Sequence, residues 1–114
     1  MSATRMGNPG IDVLATPAVV AILDVLAHEV IVPTLAVDQG TVGSKVDIAH
    51  LSATPIGMKI RAQAEVSAID GRKVTVKVDL WDERDLAASG TIERVIIDVP
   101  RFLAKVQAKA ARAD

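Results

Sequence analysis

The sequence contains no cysteine and no tyrosine, and its 114 residues include only one tryptophan and one phenylalanine. Without cysteine there is no disulfide scaffold, no thiolate zinc site and no cysteine nucleophile. So few rings leave no platform on which bases could stack. An excess of one charge is also missing. Thirteen Lys and Arg stand against 14 Asp and Glu, for a net charge of -1, so the basic footprint of a nucleic-acid binder is absent. Long hydrophobic runs are scarce. The most apolar stretch, 13–23, contains Thr16 and Pro17 and stops at Asp24, well short of the roughly 20 residues a membrane span needs. Residues 1–10 carry one Arg and no apolar block, so no signal peptide is expected. These absences predict a soluble, cytoplasmic protein with neither a nucleic-acid nor a membrane partner.

What is present is small and branched. Half of the residues are apolar, including 18 Ala, 16 Val, 10 Ile and 8 Leu. That is ample for the core of one domain and excludes disorder. Residues 1–12 read as a flexible N-terminal lead-in, with turn chemistry in "GNPG" at 7–10. Thr16-Pro17 reads as a helix start, with Thr as N-cap and Pro in the first turn. Residues 18–30 are apolar on nearly every face, which predicts a helix buried on most sides by a sheet curling around it. Pro33 ends the helix, and 33–45 read as a loop. Alternation then marks strands at 46–51, 58–69, 74–80 and from 86 to about 97. Asp70-Gly71 supplies a hairpin turn and 82–85 a charged turn. Asp98 and Pro100 open a second, basic, Ala-rich helix. Tight hairpins require antiparallel strands, so the fold class is α+β, one apolar helix on a curved antiparallel sheet. Residues 13–114 form a single domain, with the C-terminal helix from about residue 100.

Polar residues within apolar segments are the candidates for chemistry, because burying them is costly unless something satisfies them. Asp24 lies mid-helix, four residues before His28, so the two can meet on one face. An ion pair or a solvated face would explain it equally well. His50 shares a strand face with Val46 and Ile48, where a satisfied core histidine competes with a catalyst. For His28, position near a helix end is explanation enough. Capping accounts for Thr16. Gly43 is either a loop glycine or a point of close backbone approach to a ligand. Arg94 alternates with Val95 on the last strand, as a solvated or cross-strand-paired arginine would. No phosphate loop or nucleophile elbow occurs, and two histidines without cysteine make a weak case for a metal site.

Four segments carry a resemblance: "VLATPAVVAILD" at 13–24, "TVGSKVDIAHLSATPIGMKIRAQAEV" at 41–66, "DGRKVTVKVDLWDE" at 70–83 and "GTIERVIID" at 90–98. Together they resemble the fluoroacetyl-CoA thioesterase-like branch of the hotdog superfamily. The most specific part is the spacing from Gly43 to His50 followed by "SATPIG" at 52–57. The resemblance implies a hotdog fold, a central helix wrapped by a curved antiparallel sheet, here with its first strand short or missing. It also implies a homodimer with acyl-CoA at the subunit interface, and hydrolysis of a small acyl-CoA thioester to free acid and CoA. CoA is then part of the substrate, and no separate cofactor or metal is implied. By the same resemblance Thr16, Asp24 and His50 are the catalytic residues, drawn from one or both subunits, and Gly43 and Arg94 bind substrate. Asp24 falls where the family usually has Glu, one methylene longer, which sets the carboxylate back by about 1.5 Å. The alternative is a non-catalytic hotdog dimer that binds acyl-CoA or another apolar ligand. Trp81 and Phe102 are the only rings available to line an acyl tunnel.

Overall fold

A computed structural model describes residues 12–112. All of the expected lead-in except Asp12 lies outside the described residues, as do the last two residues. The order is α1 (Thr16–Ile31), a single 3-10 turn (Val32–Thr34), β1 (Gln39–His50), β2 (Arg61–Asp70), β3 (Lys73–Trp81), β4 (Leu86–Asp98) and α2 (Val99–Ala111). The four strands form one antiparallel sheet in the order β1-β4-β3-β2. Hairpin turns join β2 to β3 and β3 to β4, whereas β1 crosses over to lie beside β4. Both β1 and β2 are therefore edge strands. Of the expected first strand, the described residues contain one isolated bridge, Val13 to Pro55.

α1 packs across the sheet through a stripe at helical spacing. Val19, Leu23, Ala27 and Ile31 are buried against Val74, Val76, Val78, Leu80, Ala88 and Ile92. The helix lies on the antiparallel sheet as the expected fold class requires, but it is buried along one stripe and not on most of its sides. Only this stripe and Ala18 are buried, and Val25 is 57% exposed. By length and composition Thr16–Thr34 would suffice to cross a bilayer. Its stripe is nonetheless occupied by the sheet, and it carries an ion pair to β4.

β1 begins at Gln39, not at 46, because a bulge hides its first half. The register shifts between Gly43 and Lys45, so Thr41 and Gly43 oppose Ile96 and Arg94, while Val46, Ile48 and His50 oppose Ile92, Gly90 and Ala88. Directly opposite residues share a sheet face. One extra residue reverses the odd-even pattern, and Thr41, Gly43 and His50 all face α1. β1 lies so close to β4 that a Cβ at Gly90 would collide with the Asp47 carbonyl and stand 2.8 Å from Ile48 Cα.

The hairpins follow local chemistry. Gly71 adopts φ +61°, which glycine reaches without a Cβ penalty. At the β3–β4 turn, the Asp82 carboxylate accepts the N–H groups of Arg84 and Asp85, each at 2.8 Å, and the Thr54 hydroxyl at 3.0 Å. The two backbone bonds hold its carboxyl below the usual aspartate range. α2 starts as expected, with Asp98 as N-cap accepting the Arg101 N–H at 3.1 Å. No α2 residue is buried, and Leu103 and Val106 are half exposed.

Candidate active site

Thr16 is not the N-cap of α1. That position belongs to Ala15, with no side-chain capping bond, and Pro17 follows in the first turn. The Thr16 hydroxyl instead lies 2.8 Å from His50 Nδ1. The helix start thus delivers a hydroxyl to the imidazole at the end of β1. This is the separation expected of a nucleophile, or of a water-orienting hydroxyl, and its base. The other ring nitrogen, His50 Nε2, is buried and has no partner among the described residues. A buried polar atom without a partner costs about 1–3 kcal/mol, so this face of the ring is built to receive another group.

Asp24 belongs to a second cluster. Arg94, on β4, is only 8% exposed. Its NH1 group donates to Asp24 Oδ1 at 2.6 Å, its Nε to Thr41 Oγ1 at 2.8 Å and its NH2 to the Thr41 carbonyl at 3.0 Å. His28 Nδ1 is 2.7 Å from the same Thr41 hydroxyl. Arginine only donates, so Thr41 Oγ1 accepts from Arg94, and the imidazole tautomer sets the direction of its bond with His28 Nδ1. The guanidinium is therefore clasped on three sides. A buried charge needs that full set of partners. Asp24 and His28 do not bond to each other; both join the arginine–threonine cluster from one helix face. Arg94 is neither solvated nor paired across the sheet, since its carboxylate partner lies on the helix.

Gly43 sits directly over this ion pair. A Cβ there would meet Arg94 NH1 at 3.4 Å and Asp24 Oδ1 at 3.8 Å. Its missing side chain leaves the space in front of the ion pair open.

Within one chain the candidate residues thus form two half-sites. Thr16 pairs with His50, and Asp24 pairs with Arg94 beside Gly43. Eight helical residues separate Thr16 from Asp24, about 12 Å along α1. Seven strand residues separate Gly43 from His50, on the order of 20 Å along β1. Thr41 falls in the stretch the sequence marks as a loop, and His28 near a helix end needs no further explanation there; the structure joins Thr41 to Arg94 and His28 to Thr41. The signal of Thr41 exists only once β1 extends through its bulge. Neither ring is found at either half-site: Trp81 carries the Arg61 guanidinium 4.6 Å from its centroid, and Phe102 lines a cleft beside α2. Among the described residues no group of three or more His, Asp or Glu gathers that could hold a metal ion.

One long helix laid on a four-stranded antiparallel sheet, with polar half-sites on the face between them, defines a hotdog domain of the thioesterase type. A hot-dog-like protein from Thermanaerovibrio acidaminovorans shares this fold with a TM-score of 0.88, covering 95% of this chain and 80% of that one at 19% identity. A thioesterase superfamily member from Thermus thermophilus superposes with a TM-score of 0.87 at 27% identity, covering 92% of this chain and 77% of its own. The profile of the fluoroacetyl-CoA-specific thioesterase family, FlK, matches residues 1–100, and the chain belongs to that family. The fluoroacetyl-CoA thioesterase of Streptantibioticus cattleyicolor is 32% identical over 98 residues, 86% of this chain and 70% of its own length. A FlK variant crystallised with fluoroacetate and CoA has a TM-score of 0.85 at 28% identity, covering 95% of this chain and 89% of that one.

Proposed function

We propose that the protein is an acyl-CoA thioesterase that hydrolyses a small acyl-CoA to the free acid and CoA, and that it works as a homodimer whose active sites are shared between subunits. The Thr16–His50 hydrogen bond is the observation that carries the chemistry. His50 takes the proton, either from Thr16 as it attacks the thioester carbonyl or from a water held by Thr16. The carbon–sulfur bond breaks, and His50 returns the proton to the departing CoA thiolate. In the first route, water then hydrolyses the acyl-Thr16 ester and restores the hydroxyl.

The separation of the half-sites and the bare edge of β1 support the dimer. Residues 43–47 of that edge are all exposed, and an unpaired edge is a template for a second strand. Antiparallel pairing about a two-fold axis near the Val46–Asp47 stretch brings Gly43 to within about one residue of register with the partner subunit's His50. The Asp24–Arg94 pair then approaches the partner's Thr16–His50 pair. In that arrangement Asp24 supplies the acceptor that His50 Nε2 lacks, as the third member of a hydroxyl–imidazole–carboxylate set. Arg94 holds the carboxylate in place, and the open space at Gly43 admits the thioester carbonyl, whose developing charge a backbone N–H stabilises.

Free-thiol release against a panel of acyl-CoAs tests the activity. Measurable CoA binding with no turnover of any member would leave the non-catalytic binding dimer. Turnover in labelled water, with a search for an acylated peptide, separates the two routes. Subunit complementation tests the sharing. Thr16→Ala and Asp24→Asn are each expected to be inactive alone. Reassorted together, half of the dimers would carry one site with every group intact, so about a quarter of wild-type activity should return. No recovery on mixing refutes a shared site.

A further inference from the structure

We infer that Asp82 and Thr54 are positioning residues for the Thr16–His50 pair, an inference that rests on the acyl-CoA thioesterase reading above. The members of that pair come from different elements, the start of α1 and the end of β1, and lie 34 residues apart in sequence. A hydrogen bond of 2.8 Å between them needs a common frame. The β3–β4 turn and the first residues of β4 supply that frame to both.

On the His50 side the tie is direct. The Ala87 carbonyl accepts the Leu51 N–H at 2.7 Å and the Ser52 N–H at 3.2 Å, which fixes the chain immediately after the imidazole. On the Thr16 side the route is longer. The Leu14 N–H donates to the Thr54 carbonyl at 2.9 Å, the Ile56 N–H donates to the Asp12 carbonyl at 3.4 Å, and Val13 bridges to Pro55. The chain that leads into α1 is therefore laid along residues 54–56. The Thr54 hydroxyl in turn donates to Asp82 Oδ2 at 3.0 Å.

Thr54 is only 2% exposed, and a buried hydroxyl needs a partner within the protein. Asp82 is a stiff one. Its Oδ1 accepts the N–H groups of Arg84 and Asp85, and its own N–H donates to the Asp85 carbonyl at 3.0 Å. Oδ2 alone reaches out of the turn. One carboxylate thus locks the turn with one oxygen and the approach to Thr16 with the other. Among the described residues neither Asp82 nor Thr54 bonds to Thr16 or His50, so both act through the backbone, from Thr54 to Leu14 and on to Thr16 two residues later. A misplacement of about 1 Å at reacting groups can cost on the order of 100-fold in rate. The tie therefore bears on turnover more than on substrate binding.

Thr54→Val keeps the shape of the side chain and removes the hydroxyl, and Thr54→Ser restores it. Asp82 is half-buried, so water can replace the lost donor and the valine variant should fold. Turnover of the best acyl-CoA of the panel is measured below the unfolding range of every variant. The expected kcat is about tenfold lower in the valine variant, with KM within about twofold of wild type, and close to wild type in the serine variant. In a Thr16→Ala background the hydroxyl being positioned is gone, so Thr54→Val should lower the residual turnover by less than about twofold. An equal loss in both backgrounds would overturn the positioning role. The imidazoles give a readout that needs no turnover. The chain has two histidines, and isotope-edited NMR follows the ring nitrogens of each. Those of His50 should shift in Thr54→Val and return in Thr54→Ser, with His28 unmoved. An unmoved His50, or equal shifts in both rings, would also overturn the role. A selective His50 shift in a protein that hydrolyses no acyl-CoA would retire the thioesterase reading and support the Thr54 tie.

Discussion

Replacing Thr41 by valine keeps the shape of the side chain and removes one oxygen. That oxygen accepts from Arg94 Nε at 2.8 Å and pairs with His28 Nδ1 at 2.7 Å. Valine leaves two buried or part-buried nitrogens without a partner, each costing about 1–3 kcal/mol. The added methyl recovers roughly 1 kcal/mol of apolar burial. The net loss is about 1–5 kcal/mol, centred near 3, a large fraction of the 5–15 kcal/mol that holds a typical domain folded. For a domain of this size, each kcal/mol moves Tm by about 4–8 °C, so a fall on the order of 10–20 °C is expected. Thr41→Ser is the control. It retains the oxygen and should cost no more than about 1.5 kcal/mol. Thermal unfolding by circular dichroism, at fixed protein concentration because a dimer's Tm depends on it, reads both variants. Turnover should fall in the valine variant and persist in the serine variant, since only valine loosens the arginine that holds Asp24. If valine and serine unfold within a degree or two of each other, the hydroxyl is not what secures Arg94.

Thr16→Ala should reduce turnover at least 100-fold and shift Tm by less than about 2 °C, because the hydroxyl caps nothing; a stability loss near the 1 kcal/mol typical of a cap would mean that it does. Gly43→Ala should fold normally, since its new Cβ would make an ordinary contact 3.4 Å from Arg94 NH1. Its turnover should nonetheless fall about tenfold or more as the methyl occupies the space in front of the ion pair; unchanged kinetics would remove Gly43 from the substrate path. Asp82 predicts an acid effect with a defined sign. Its carboxyl is held below the unfolded value of about 3.9, so its contribution is complete above that pH and disappears as pH falls through the lower folded value. Asp82→Asn should therefore lose stability at neutral pH and show a shallower acid decline than wild type in denaturant titrations; parallel curves would refute the assignment.

The elements legible in the sequence were those governed by local rules. Asp70-Gly71 and 82–85 announced their turns, the even positions from Val74 to Leu80 announced a buried strand face, and Asp98 with Pro100 announced α2. The misreadings arose where a tertiary contact overrides a local one. A bulged strand has no single period, so 39–45 looked like a loop, and Thr41 with it. Thr-Pro before an apolar run satisfies the capping pattern whether or not the hydroxyl turns inward, and here it turns toward His50. The five candidate residues stand out in the sequence as polar groups or glycine among apolar segments, but only the family resemblance gives them roles. Their division into two half-sites follows from the rise of a helix and of a strand, which become decisive only once both elements are placed on one sheet.

The scarcity of aromatics acquires a structural reason at the same level. α1 rests on the sheet through Val19, Leu23, Ala27 and Ile31 over valines and alanines that are almost wholly buried. Small residues let the helix lie close, and only a close helix lets Arg94 reach both Asp24 on α1 and Thr41 on β1. A large ring at Ala27 or Ala88 would lift the helix and part the ion pair, since overpacking a dense core forces backbone shifts. Rings are therefore confined to the periphery, where Trp81 covers Arg61 and Phe102 lines the cleft beside α2.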